Sequence, residues 1–297
     1  MTDPIRSITR RFPGVPTLEG AGVRLRRSFS NPEVPLLDPF LLLDRFGSSN
    51  PADYMAGFPW HPHRGIQTVT YLLGGRVAHG DTLGNSGVIG TGDVQWMNSG
   101  SGIIHQEMPE RTDGPMAGFQ LWVNLPAREK MDVPAYRGLT AAEIPTAETE
   151  LGGRVKVLAG TFAGVEGPVK GISVNPTYFD VKLPPNAEFA WSPPSGHTLF
   201  AHGIEGTSRF DGHDTAPLPA GETALFGAGD EVRGRAGEQG GRFLLVSGRP
   251  LHEPVEWYGP IVMNRRDQIL DAVRELRDGG FIKHRTPIIE ERSTNRS

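Results

Sequence analysis

Apolar positions in this chain fall in short runs between glycines and prolines, and the clearest runs alternate with polar residues instead of recurring at helical spacing. In Thr177–Leu183, Phe179, Val181 and Leu183 alternate with Tyr178, Asp180 and Lys182, predicting a strand with one buried and one wet face. Residues 120–125, 155–159, 199–202 and 243–247 are short, apolar and bounded by Gly or Pro, and 40–43 reads the same way. Upstream of residue 45, Pro and Gly recur too often for other long elements. One segment departs from the pattern. Asn264 is a favourable N-cap with Asp267 three residues on; Ile269, Leu270, Val273 and Leu276 form a stripe that Gly279-Gly280 ends. This predicts a helix over 264–279, packed on a barrel far from the histidines discussed below. Past Phe281 there is little to bury, and a loose or extended tail is expected.

The whole is an all-β chain of short strands and tight turns, consistent with its 39 glycines and 26 prolines. Residues 138–153 are polar, Pro-interrupted and Glu-rich, and they divide the chain into domains at 1–140 and 141–297. Gly92-Asp93 and Gly229-Asp230 each follow a turn and precede an apolar stretch, the trace a duplicated barrel would leave.

Composition narrows the function. Hydrophobic residues make up 37% and charged residues 22%, so the chain can bury cores of ordinary size. The net charge is −4 with no basic block, which argues against direct nucleic-acid binding. There is no cysteine, so any metal is held by nitrogen and oxygen donors. No apolar run follows the first basic residues and none would span a bilayer, so a cytoplasmic protein with no membrane partner is expected.

Two residue pairs carry the candidate chemistry. In His61-Pro62-His63 and His105-Gln106-Glu107, residues two apart on a strand share a face. Each pair alone is weak, since nine histidines produce such spacings by chance. Facing each other in a small barrel, the pairs would bring three imidazoles and a carboxylate together. That set suits Fe, Mn, Ni, Cu or Zn, and a carboxylate among imidazoles with open positions leans towards non-haem Fe(II). Of the neighbours, His79 and Asp81 read as loop-surface residues, and Arg64 as a structural ion-pair partner. Phe58 and Trp60 read as pocket lining or core. His197, His202, His213 and His252 lack such pairing and read as surface or satisfied core residues. Arg242 stands twelve residues after Asp230, as His105 does after Asp93, and arginine cannot ligate a metal.

The blocks HPHRGIQTVTYLLGGRVAHGD, GDVQWMNSGSGIIHQEMPE and FQLWVNLPAREKM resemble the N-terminal signature of the pirin family of cupins, with DPFLLLDRFG and EPVEWYGPIVMN resembling its flanking blocks. The resemblance implies a bicupin in which His61, His63, His105 and Glu107 fall on the family's metal ligands and the second barrel is structural. Gln67 departs from it, standing where many pirins have a glutamate; a neutral amide here is expected either to leave the site with one charge fewer or to orient a ligand imidazole. The activity implied is dioxygenation of a flavonol-type, quercetin-like substrate, with Glu107 as proton acceptor. The alternatives are an iron-dependent regulatory protein with a protein partner, and a cupin that holds Zn or Ni for stability alone.

Overall fold

The computed structural model describes residues 5–285; the tail beyond them, expected to be loose, lies outside the described residues. The fold is all-β with one C-terminal helix. A seven-stranded antiparallel sheet runs in the order Ala135–Leu139, Val94–Asn98, Ile66–Gly74, Met116–Asn124, Phe40–Ser48, Val23–Phe29, Val15–Glu19. A smaller sheet of Phe58–His63, Ile103–Glu110, Arg76–Asp81 and Ser86–Ile89 closes the first barrel. The second barrel is a nine-stranded sheet built around the long strands Thr198–Phe210 and Val232–Gly248. Pro and Gly upstream of residue 45 shorten elements without preventing them, since Ile8–Pro13, Val15–Glu19 and Val23–Phe29 are all strands.

The chain passes from one large sheet to the other between Leu139 and Thr146. Two segments cross back. Ile8–Pro13 pairs with Glu222–Phe226 in the second barrel, and residues 256–282 lie against the first. The large sheets pack face to face: Val69, Tyr71, Phe119 and Leu121 share one core with Tyr178, Phe200, Leu244 and Val246. This overturns the expected wet face of Thr177–Leu183 at two of its three positions, Lys182 being exposed as expected. Tyr178 and Asp180 are both buried, because the other sheet covers what a lone sheet would leave in water. Asp180 is satisfied there by the Tyr71 hydroxyl at 2.7 Å and by two nitrogens of Arg242 at 2.7 and 2.9 Å. Arg242, at the position that matches His105 by spacing, is thus an ion-pair partner. The interior of the second barrel is packed with side chains including Phe162, Phe179, Phe189, Phe210, Phe226 and Phe243.

The helix spans Arg266–Asp278 and ends on Gly279 in the left-handed conformation. Arg265, not Asn264, stands at the N-cap, because the Gln268 carboxamide accepts from the backbone N–H groups of both residues. The buried stripe is Ile269, Ala272 and partly Leu276; Leu270 and Val273 are exposed, 60% and 39%. A small alanine lets the helix approach closely and turns its face away from the two larger residues. Among the described residues no helix is long and apolar enough to cross a membrane.

His202 sits between the sheets, its Nδ1 2.8 Å from the Thr223 hydroxyl and its Nε2 without a partner. Burial first, then Arg45, pushes its pKa down to about 3. The unfolded imidazole titrates near 6.5, so between these values the unfolded chain binds more protons. The contribution of His202 to stability is complete above pH 6.5 and falls as pH drops towards 3, on the order of 1.4 kcal/mol per pH unit. Urea midpoints at pH 7 and pH 5 should therefore differ less in His202→Phe than in the parent; an unchanged difference removes His202 as the source.

Candidate metal centre

Phe58–His63 is the edge strand of the small sheet, which is why it tolerates Pro59 and Pro62. It pairs antiparallel with Ile103–Glu110, setting His105 opposite His61 and Ile103 opposite His63. The register slips between His105 and Glu107, leaving Phe58 opposite the carboxylate. The imidazoles of His61, His63 and His105 thereby meet, with one ring nitrogen from each within 4.8 Å of the others.

Their hydrogen bonds fix the tautomers. His61 Nδ1 lies 2.9 Å from the Pro59 carbonyl and His63 Nδ1 3.3 Å from the Pro260 carbonyl, so both Nδ1 atoms donate. The two Nε2 atoms then face each other as lone pairs at 3.0 Å, an arrangement that repels unless a cation lies between or beside them. His105 Nε2 is buried with no partner among the described residues. Burial, followed by the neighbouring imidazoles, pushes His63 and His105 well below the usual histidine range, keeping their rings neutral with one bare nitrogen each. Three imidazole nitrogens converging on one point fit a metal ion better than any internal hydrogen-bond scheme.

Glu107 lies on the same cavity wall but is not a fourth member of that cluster by mutual distance. Its Oε1 is 2.9 Å from the Thr70 hydroxyl, which is also 2.5 Å from Gln120 Oε1. A hydroxyl holds one proton, so donation to Glu107 requires the Gln120 amide to present its NH₂ to Thr70. Burial pushes the Glu107 carboxyl up, against the lowering pull of His61 and Thr70.

The cluster opens into a cavity of about 620 Å³ between the two sheets of the first barrel. Val23, Leu25, Phe46, Tyr54, Phe58 and Met116 line one side, and Leu42, Trp122 and Trp257 the other. Trp122 meets the edge of His63 at 5.1 Å. Trp60 is 54% exposed and, unlike Phe58, is not on the wall.

Several sequence expectations change here. His79 and Asp81 are buried strand residues, not loop surface; they stand opposite Glu107 and His105 across the sheet. His79 stacks on Tyr136 and meets its hydroxyl at 2.9 Å, while Asp81 accepts from Leu83, Asn85 and the Asn85 amide to close the following turn. Gln67 does not orient a ligand imidazole. Strand alternation sends it to the face of Val69 and Tyr71, where its Oε1 accepts from Trp96 at 2.8 Å, while Thr70 takes the cavity face. Arg64 is an ion-pair partner, 2.7 Å from Glu275, and it stacks over Phe281. This also brings the C-terminal helix next to the ligand segment, against the expectation that it lies far away. Thr70, Gln120, Pro260 and Trp257 were not singled out in the sequence. Thr70 alone had a signal there, a polar residue inside the apolar run after Gln67; Pro260 and Trp257 join the site through a contact some 197 residues apart in the chain.

Residues 22–123 match the family model described as Pirin, and residues 178–282 match the Pirin C-terminal cupin domain. A pirin-like protein of Caulobacter vibrioides is 45% identical over 279 residues, covering 94% of this chain and all (100%) of that one. Pirin of Homo sapiens is 42% identical over 275 residues, covering 90% of this chain and 92% of its own. The crystal structure of a quercetin 2,3-dioxygenase from Acinetobacter baumannii superposes with a TM-score of 0.86 at 33% identity, over 93% of this chain and 98% of that one. Two family models in tandem, relatives matched along nearly their whole length, and two barrels with a three-histidine site in the first make this chain a member of the pirin family, a bicupin.

Proposed function

We propose that the protein is a dioxygenase of flavonol-type substrates, with one divalent metal, iron(II), held by His61, His63, His105 and Glu107. The observation that carries this reading is the convergence of three imidazole nitrogens beside a largely apolar cavity whose lining includes His61, His63 and the carboxylate of Glu107. The name of the Acinetobacter baumannii structure supports the substrate class. Iron(II), when bound, supplies a Lewis-acidic centre that acidifies a substrate hydroxyl and an electron donor for O₂ chemistry. Glu107 accepts the hydroxyl proton at its carboxylate, and Thr70 holds that carboxylate in place. The Pro59 and Pro260 carbonyls keep His61 and His63 in the ligating tautomer. The apolar walls exclude water and select a flat, hydrophobic body. The second barrel, its interior filled with aromatic rings, serves as a structural partner.

Metal-loaded protein is expected to bleach the flavonol absorbance band with matching O₂ uptake, and both should stop in His105→Ala. Absence of O₂ uptake across a panel of flavonols with fully loaded protein sinks the reading.

One observation favours a second reading, an iron-dependent regulatory protein. His63 is tied through Pro260 to the hairpin that carries the helix, and that helix exposes Leu270 and Val273. A one-unit change in metal charge would then be read by a protein partner at this face. Identical capture of partners by reduced and oxidised protein counts against it.

A further inference from the structure

The floor of the cavity is the inner face of the seven-stranded sheet, and one polar row crosses it. Thr70 stands opposite Gln120, Gln120 opposite Asp44, and Asp44 opposite Arg27, so four neighbouring strands place polar side chains at one level. Glu107 caps the row at the metal end through Thr70, and Glu19 caps it at the far end through Arg27. The rows on either side are mainly apolar, with Thr68 the polar member beside Trp122. Leu25, Phe46 and Leu72 flank it along one edge, and Leu42 and Trp122 along the other. Asp44 lies two strand spacings from Thr70, about 10 Å. That is comparable to the separation of the chelating oxygens and the distal-ring hydroxyls of a flavonol.

The far end is a charged cluster that retains hydrogen-bonding capacity. Arg27 donates to both Asp44 oxygens at 2.8 and 2.7 Å and to Glu19 at 2.8 Å. A guanidinium has five N–H groups and each carboxylate oxygen two lone pairs, so donors and acceptors remain for a ligand. All three residues line the cavity although the Asp44 side chain is only 6% exposed. One cation and two carboxylates sum to a single negative charge. The cluster therefore suits a neutral group that both donates and accepts, and it repels an anionic one.

We propose that Arg27, Asp44 and Glu19 form a distal specificity subsite that recognises the hydroxyls on the ring of a planar substrate farthest from the metal. This rests on the dioxygenase reading for the identity of the substrate, and it adds what decides between members of that class. The hydroxyl donates to Asp44 or Glu19 and accepts from Arg27, while the flat body lies along the Gln120 row between the two apolar edges.

The test is direct binding to metal-loaded full-length protein, read by quenching of tryptophan fluorescence, with Trp122 and Trp257 on the cavity wall. The ligands are flavonols with two, one and no distal-ring hydroxyls (quercetin, kaempferol and galangin) and a flavonol sulfonated on that ring. The parent protein should prefer quercetin over galangin by about 10- to 100-fold, the range for hydrogen bonds to charged groups, and should reject the sulfonate. In Arg27→Met/Asp44→Leu, which removes the pair without stranding either charge, the preference should fall to about twofold or less. Glu19→Gln, a change at a 40% exposed side chain that folding tolerates, should relax rejection of the sulfonate by about tenfold. Equal binding of all three flavonols by the parent protein overturns the subsite while leaving the dioxygenase reading intact. An undiminished preference in the double variant, or undiminished rejection in Glu19→Gln, does the same. No binding of any flavonol to loaded protein overturns both.

Discussion

His105→Ala protein, purified beside the parent chain and analysed for metals by mass spectrometry, is expected to lose essentially all of its metal. Each of the three imidazoles contributes one nitrogen to the cluster. His105 offers a buried Nε2 with no hydrogen-bond partner among the described residues, and its burial disfavours a protonated ring. Outer contacts of a metal site typically cost about 10- to 100-fold in affinity when removed, and a ligand costs more. His63→Ala should behave in the same way and also free the Pro260 carbonyl. His202→Ala, which empties a buried imidazole position elsewhere, should leave the metal content near that of the parent. Full metal content in His105→Ala would place the metal somewhere other than this cluster. The same measurement on the parent chain identifies the ion, because the donor set alone also suits Mn, Ni, Cu and Zn.

Replacing Lys130 should produce the largest loss of stability at a single polar position. Its side chain is buried to 1% exposure, and its ammonium donates to the Gly65 carbonyl at 2.7 Å, Asn124 Oδ1 at 2.6 Å and the Val262 carbonyl at 3.0 Å. Three protons meet three oxygens. They join the loop after His63, the end of Met116–Asn124 and the C-terminal hairpin, so this one group clasps the ligand segment to the segment that supplies Pro260. Lys130→Met retains most of the stem volume and removes every donor. Its expected cost is about 3 kcal/mol or more, since three buried oxygens lose their donor at about 1–3 kcal/mol each. Against a domain stability of roughly 5–15 kcal/mol that is a large share. By contrast Lys170, whose exposed side chain pairs with Glu166, should change stability by about 0.5 kcal/mol or less when cut to alanine. Urea unfolding of both variants checks the contrast, and metal affinity should fall with Lys130 because Pro260 is held less firmly. A Lys130→Met midpoint equal to that of the parent would show that the clasp carries no energy.

The strands and the histidine cluster were readable because both depend on spacing along a few residues. Alternation at Phe179, Val181 and Leu183 marks a buried face whatever covers the other side, and His61 and His63 share a face on any strand. Features that depend on what covers a face were not readable. Tyr178 and Asp180 look solvent-facing until the second sheet is laid over them, and Leu270 looks buried until Ala272 proves to be the contact. The Asn264 cap failed for a local reason, since Gln268 accepts from the backbone of both Asn264 and Arg265 and shifts the start by one residue.

By itself, the sequence determined an all-β chain with a histidine cluster, because the period of a strand and the donor chemistry of imidazole are properties of a few adjacent residues. Only the tertiary structure decided which backbone carbonyls orient His61 and His63, that Gln67 points away from the cluster, and that Arg64 and Lys130 bind the C-terminal segment to it. Apart from the local contact of His61 with Pro59, those facts rest on strand register and on contacts between residues far apart in the chain. A one-residue change of register would exchange Gln67 and Thr70 between the two faces of their sheet while leaving every local pattern the same.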